Sequence, residues 1–526
     1  MKSLMVFLAG VVMAEEPPVK LAEQARLQLK MAEGGQVIDN LALTVAGAWM
    51  DPGPPGETRD LTFPIDAWQW TAATLRFTPP ASGKAELSFI GPWEEQSTGV
   101  VWRQEILWDD VEAEGSSVTN GSFSAGIEGW TSPWAPFPPA ADWPLAGREV
   151  GASWLGRPLV QQLTVEGGKP VTLRFRARAA APSDRPEMHP VSGKTPAHDW
   201  AAALKRGVNL GNCWEAPVGS WGVPYGPEDI DRIADAGFDH IRVPVGWHHR
   251  IENGEISPGL LEELEPVLKQ AEKRKLHMIL DWHGFKALEE DPDGHRQDFI
   301  DGWKTIAAHF KAWSPLLAYE LLNEPTGGLH GSVLNDLHQQ VLTEIRAIDP
   351  ERIVFLDPGR WAVADQLGQL WIPQSEKRVI LTFHCYDPFP FTHQKAAWVG
   401  FQSVEDIRFP GPPSSPAQAP VENLARWYAA YSDPEARPNP SSISSVERLL
   451  DKAKAWSENF GRPVHLGEFG CVRDADPASR RRYARQVRDA AEKRDIPWSW
   501  WEWKVGFGVV DMQTGEPLLI DALTGD

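Results

Sequence analysis

Eight short apolar runs, each parted from the next by residues at helical spacing, limit the folds open to this chain more than any other feature. They lie at 206–210, 240–243, 277–280, 318–322, 353–356, 379–383, 464–466 and 498–501. Between the second and third, Leu260, Leu261, Leu264, Val267, Leu268 and Ala271 recur at intervals of three and four, as one buried helical face requires, and Tyr483, Val487 and Ala490 repeat the pattern later. Eight strands with intervening helices over about 330 residues match the size and order of a (β/α)₈ TIM barrel. A doubly wound open sheet is the alternative, but no glycine-rich phosphate loop opens it.

The fourth run ends abruptly. LLAYELLNEP, 316–325, stops at Asn323, Glu324 and Pro325, and proline can donate nothing to a sheet ladder, so Glu324 is delivered to the rim. PVHLGEFG, 463–470, repeats the design with Glu468 between Gly467 and Gly470, which allow a tight turn and close approach of a ligand. Further polar residues gather at the same ends: Asn212 and Glu215 after the first run, Arg242 at the second, His283 after the third, His384 and Tyr386 after the sixth, Trp501 after the eighth. Active sites of such barrels sit at the carboxyl ends of the strands. Two carboxyl groups at one mouth suit acid–base cleavage of an acetal, in which one protonates the departing oxygen and the other acts at the anomeric carbon.

The first third reads differently. In 171–178, Val171, Leu173, Phe175 and Ala177 alternate with Thr172, Arg174, Arg176 and Arg178, and Ala73, Leu75 and Phe77 alternate likewise before a Pro79, Pro80, Ser82, Gly83 turn. Several such strands imply an all-β sandwich over 15–180. Trp130, Trp134, Trp143 and Trp154 are candidate ring-stacking positions in it, though indoles also fill cores. Residues 181–198 turn rich in Pro, Ser and Ala and read as an exposed linker, leaving 199–526 for the barrel.

Residues 1–14, with Lys2, an apolar run and Val12 and Ala14 at cleavage positions, read as a secretory signal too short to span a bilayer. A formal charge of −21 argues against nucleic acid or anionic lipid as partner. Three cysteines, none in a CxxC pair, form no disulfide framework, and no metal, nucleotide or serine-hydrolase motif is present, so neither cofactor nor metal is expected. Twenty-six tryptophans against six tyrosines suit a protein that stacks sugar faces.

The phrases RGVNLGN, IRVP, LNEP, HCYDPF, GEFG and WWEWKVGFG, in this order, resemble glycoside hydrolase family 5, the cellulase A family of a retaining clan, over nearly all of 200–526. The resemblance implies Glu324 as acid/base and Glu468 as nucleophile. It further implies Asn323 on the sugar 2-hydroxyl, Arg242 and Tyr386 beside Glu468, His283 and His384 on hydroxyls of the same ring, and Trp501 beneath it. Asn212, Glu215, His393 and Trp398 would line neighbouring sugar sites. Parts of the amino-terminal third resemble jelly-roll carbohydrate-binding modules, with the closing half placed first. Gly284 stands where many relatives carry a second histidine, so that one sugar contact is either missing or replaced by Trp282, and the segment 409–445 is a long insertion that could rim the cleft.

The expectation is a secreted, monomeric, retaining endo-β-1,4-glucanase acting on β-glucan. The alternatives are a mannanase or other β-glucan hydrolase, and a catalytically silent polysaccharide-binding protein.

Overall fold

The structure, a computed structural model, describes residues 19–66, 69–92, 96–97, 100–101, 103–132, 150–180, 188–329 and 331–525. The expected signal at 1–14, Trp134, Trp143 and residues 181–187 of the expected linker lie outside these.

Alternation in the amino-terminal third produces two antiparallel sheets. One has the order Gly151–Ser153, Ile106–Glu114, Val171–Ala179, Thr71–Phe77, Leu41–Val45, Ala48–Met50; the other runs Leu159–Val165, Gly83–Ile90, Gln24–Met31, Thr58–Pro64. Their inner faces share one core in which Phe89 of the second sheet stacks on Trp108 of the first, ring centroids 4.0 Å apart and 7° from parallel. Each such buried aromatic contributes about 1.5–3 kcal/mol by leaving water. Trp130 belongs to this core: it is 4% exposed and stacked on Phe89 and Phe123, so it is no sugar platform. Trp154 is half-buried, with the Arg157 guanidinium 4.7 Å from its ring.

The eight runs close into a parallel barrel of strands β1 Arg206–Asn209, β2 His240–Val245, β3 His277–Trp282, β4 Leu317–Glu320, β5 Val354–Leu356, β6 Val379–His384, β7 Val464–Phe469 and β8 Trp498–Trp500, with β8 pairing back onto β1. Helices cover the outside. Pro258–Lys273 turns Leu260, Leu264, Val267, Leu268 and Ala271 inward, and Pro477–Glu492 starts where Asp476 caps the Ser479 N–H at 2.8 Å. The closing helix is short, Ile520–Leu523. Among the described residues no helix is long and apolar enough to cross a membrane.

The linker expectation needs correction for 188–195. Met188 and Val191 are buried, Val191 N–H donates to the Phe460 carbonyl at 2.9 Å, and Gly461 takes a left-handed φ of 60° where a Cβ would lie 2.1 Å from the Val191 oxygen. Two apolar side chains in a Pro/Ser-rich stretch suffice to dock it. The sandwich also touches the barrel directly: Trp49 packs on the barrel core, and Arg426 of the 409–445 insertion holds Asp51 at 2.5 and 3.0 Å. The insertion's helix, Ala425–Ser432, thus joins the sandwich to the barrel.

Candidate active site

Arg242, in the interior of β2, organises the mouth. Its guanidinium donates to Glu320 at 2.6 and 2.9 Å, to Asn209 Oδ1 at 3.0 Å, to Asn323 Oδ1 at 2.7 Å and to Glu468 Oε1 at 2.6 Å, and it lies 3.0 Å from Asp281 Oδ2. Burial would push its pKa down, but Asp281, Glu320 and Glu468 outweigh that and lift it well above the ordinary arginine value. The network is planar and bidentate where it meets Glu320, a geometry lysine cannot supply.

Glu468 lies inside β7, where the pairing register shifts between β7 and its neighbours on both sides. Gly467 and Gly470 are required there by close approach rather than by a turn. A Cβ on Gly467 would lie 2.4 Å from Thr382 Oγ1 and 3.0 Å from His384 Nε2, and one on Gly470 would lie 2.4 Å from the Trp501 carbonyl. The Tyr386 hydroxyl donates to the second Glu468 oxygen at 2.7 Å, so both carboxylate oxygens accept a hydrogen bond. Burial first, then Glu468, raises the Tyr386 pKa well above the phenol value.

Glu324 stands four residues beyond the end of β4 in a left-handed conformation, φ 49°, with its N–H donating to Asp357 Oδ2 at 3.0 Å. His384 Nδ1 lies 2.8 Å from Glu324 Oε1 and 3.7 Å from Glu468 Oε2. Oxygens of Glu324 and Glu468 and a ring nitrogen of His384 all fall within 4.8 Å of one another. Burial pushes Glu324 up to about 7, against the opposing charges of His283 and Arg242. Burial also drives His384 down to about 4, so the ring is neutral near neutral pH; its Nε2 is buried with no partner among the described residues. These three groups could surround a small cation by distance alone. The Arg242 cation already occupies one of the Glu468 oxygens, which disfavours a second positive charge there.

His283 Nδ1 meets Asp281 at 2.8 Å, and although burial lowers its pKa, that carboxylate more than compensates and raises it to about 9. The His283 ring lies nearly parallel to Trp501, 15° apart with centroids at 5.4 Å. Trp501 is half-buried and approaches Gly211 so closely that a Cβ there would meet its ring at 2.7 Å.

The structure therefore brings Glu324, Glu468, Asn323, Arg242, His283, His384, Tyr386 and Trp501 into one connected cluster. His393 joins its edge through an aromatic contact with Tyr386 at 5.0 Å and stacks on Phe389 at 4.1 Å, and Trp398, 68% exposed, stands beyond it. Asn212 and Glu215 lie on the loop after β1, where Glu215 accepts the N–H groups of Asn212 and Cys213, and His283 is near enough to oppose the rise that burial gives the Glu215 pKa. Trp282 is not a replacement sugar contact: it is 2% exposed and packed on Phe285, Phe299 and Trp303, and Gly284 beside it is left-handed at φ 69°. Sequence reasoning missed Asn209, Asp281, Glu320 and Asp357, all fully buried. The available signal was an acid inside an apolar run, as in YELL or ILDW, because a buried charge demands a partner.

Fold and site together define a class: a (β/α)₈ barrel with paired glutamates at the carboxyl ends of β4 and β7, backed by a buried arginine. The chain belongs to the Cellulase family, glycosyl hydrolase family 5, whose sequence model matches residues 204–506. Endoglucanase H of Acetivibrio thermocellus is 30% identical over 309 residues, covering 58% of this chain and 30% of that protein. Endoglucanase 3 of Fibrobacter succinogenes is 25% identical over 335 residues, covering 59% of this chain and 50% of its own length. This chain thus matches half or less of each of these two relatives. Crystal structures of Thermotoga maritima Cel5A with mannotriose superpose with a TM-score of 0.55 at 31% identity, over 62% of this chain and 99% of that one.

Proposed function

We propose that the protein is a retaining endo-β-1,4-glucanase. The observation that supports retention is the gap between the two glutamates: one oxygen of Glu324 and one of Glu468 lie within 4.8 Å, which suits the close pair of a retaining site, carboxyls about 5–5.5 Å apart, better than the roughly 6.5–9.5 Å that admits a water for inversion. Glu324, with its raised pKa, gives its proton to the glycosidic oxygen as the bond from that oxygen to the anomeric carbon breaks. A Glu468 oxygen, aimed by Arg242 and Tyr386, forms the new bond to that carbon, and the leaving sugar departs as an alcohol. In the second half, Glu324 takes a proton from water as the water oxygen attacks the anomeric carbon and Glu468 is released.

Asn323 has its carbonyl held by Arg242, which leaves the amide NH₂ free to donate to the sugar 2-hydroxyl. His384 and the protonated His283 would meet other hydroxyls of the same ring, with Trp501 beneath it. His393, Trp398, Asn212 and Glu215 would serve neighbouring sugars. The endoglucanase names of the relatives support glucan as substrate, and the mannotriose complex of Cel5A keeps mannan as a second reading. Residues 1–14 support export, and the sandwich is read as a carbohydrate-binding module.

The test is reducing-sugar release from soluble β-glucans, mannans and xylans by the protein and its Glu468→Ala variant. Glucan hydrolysis abolished in the variant, with polysaccharide binding retained, is expected. Full activity in Glu468→Ala would refute the nucleophile assignment, and preference for mannan would exchange the two substrate readings.

A further inference from the structure

Immediately beyond β5, Arg360, Trp361 and Ala362 are all left-handed, with φ of 55°, 59° and 54°. Side chains with a Cβ rarely adopt this conformation even singly, so three in succession persist only where the surroundings hold them. Two contacts do so from opposite sides. Trp361 N–H donates to the Pro325 carbonyl at 3.3 Å, tying the turn to the residue that follows Glu324. Arg360 Nη2 lies 2.6 Å from Glu23 Oε2, and Glu23 belongs to the sandwich, where it directly precedes the strand Gln24–Met31.

The same end of the sandwich reaches the barrel a second time. Gln24 pairs with Pro64, and Asp66, just past that partner strand, packs so close to Gly368 that a Cβ there would lie 2.9 Å from its carboxylate. Trp361 itself remains 59% exposed. Strained backbone of this kind clusters at active sites and ligand clamps, and here it presents a large aromatic to solvent one hydrogen bond from the acid/base loop.

We propose that the sandwich is a working wall of the cleft: Glu23 is a positioning residue that holds the 359–362 turn, so that Trp361 offers its face to the sugar on the leaving-group side of Glu324. This rests on Glu324 being the proton donor. A spacer or a tethered module would have no reason to grip a turn beside the mouth, and the grip makes hydrolysis of long chains depend on a side chain outside the barrel.

The experiment compares full-length protein with Glu23→Gln, Trp361→Ala, Glu23→Arg, and Glu23→Arg with Arg360→Glu, on cellopentaose and on 2,4-dinitrophenyl β-cellobioside, whose leaving group is not a sugar. Losing a stacking platform should lower kcat/KM on cellopentaose about tenfold in Trp361→Ala, and losing the brace about threefold in Glu23→Gln. Loss on the aryl glycoside should be much smaller in both, and the double charge reversal should recover what Glu23→Arg loses. Equal losses on both substrates, or none on cellopentaose, would overturn the proposal. If the unaltered protein hydrolyses neither substrate, the hydrolase reading fails instead. The brace is then read separately by trypsin cleavage after Arg360, which Glu23→Gln should accelerate; an unchanged cleavage rate would overturn it.

Discussion

Arg242 donates from Nη1 to Oε1 of Glu468 at 2.6 Å, and the same guanidinium grips Glu320, which no other described cation touches. Removing it strands Glu320 and Glu468 as buried carboxylates without a counter-charge and leaves Asp281 with His283 alone. Arg242→Met should therefore destabilise the barrel by about 3–5 kcal/mol, the usual consequence of breaking a buried pair from one side. Urea unfolding followed by a barrel-specific probe measures this, since the sandwich has its own core. Adding Glu320→Gln should return part of the loss, because it removes one of the unpaired charges.

The raised pKa of Glu324 fixes the direction of the pH dependence. The proton donor must be protonated in the free enzyme, so kcat/KM on a glucan should fall as pH rises through about 7. A 2,4-dinitrophenyl leaving group needs little protonation, and with it that alkaline limb should be absent or much shallower. A limb of equal depth with both substrates would assign the titration to another group.

The same shift bears on stability. Between the ordinary glutamate value of 4.5 and about 7 the folded protein holds a proton on Glu324 that the unfolded chain has released, so stability falls as pH rises through this window. Glu324→Gln, which cannot ionise, should raise the melting temperature at pH 8 and have little effect at pH 4.5. The recovered stability is roughly 2–3 kcal/mol at most, since the side chain retains some contact with solvent. A variant no more stable at pH 8 than at pH 4.5, relative to the unaltered chain, would contradict the assignment.

The barrel was legible because parallel strands buried on both faces read as short, mostly apolar runs, and each of the eight runs overlaps a strand. Glu324 and Glu468 were legible because an acid closes each of two such runs. What escaped were Glu320 and Asp281, whose role depends on meeting Arg242 from other strands, a pairing that one-dimensional spacing does not record. The sandwich's alternation was visible at Val171, Leu173 and Phe175, but the partners of that strand, Thr71–Phe77 and Ile106–Glu114, follow from a non-local order. Much of the tryptophan excess is core: Trp108, Trp214, Trp247, Trp282, Trp303, Trp456, Trp498, Trp500 and Trp503 are fully buried, and periodicity does not separate a packed indole from a sugar platform.

Gly467 offers the sharpest packing test of the site. It has no left-handed requirement; its missing side chain is the space into which Thr382 and His384 lean from β6. An alanine methyl would stand 2.4 Å from Thr382 Oγ1 and 3.0 Å from His384 Nε2, so the hydroxyl must shift and the ring that contacts Glu324 is displaced with it. Overpacking of this kind costs about 1–3 kcal/mol of stability. The rate should suffer more, because His384 bonds the proton donor and because a displacement of about 1 Å at a positioned group can cost a hundredfold. Gly467→Ala should therefore lower kcat on glucan by one to two orders of magnitude in a protein still folded at 25 °C, and Thr382→Ser, which removes only a methyl, should not relieve it. Relief should come from Thr382→Ala, which vacates the hydroxyl the new methyl would strike. Unchanged kcat in Gly467→Ala would mean that His384 does not control the proton donor.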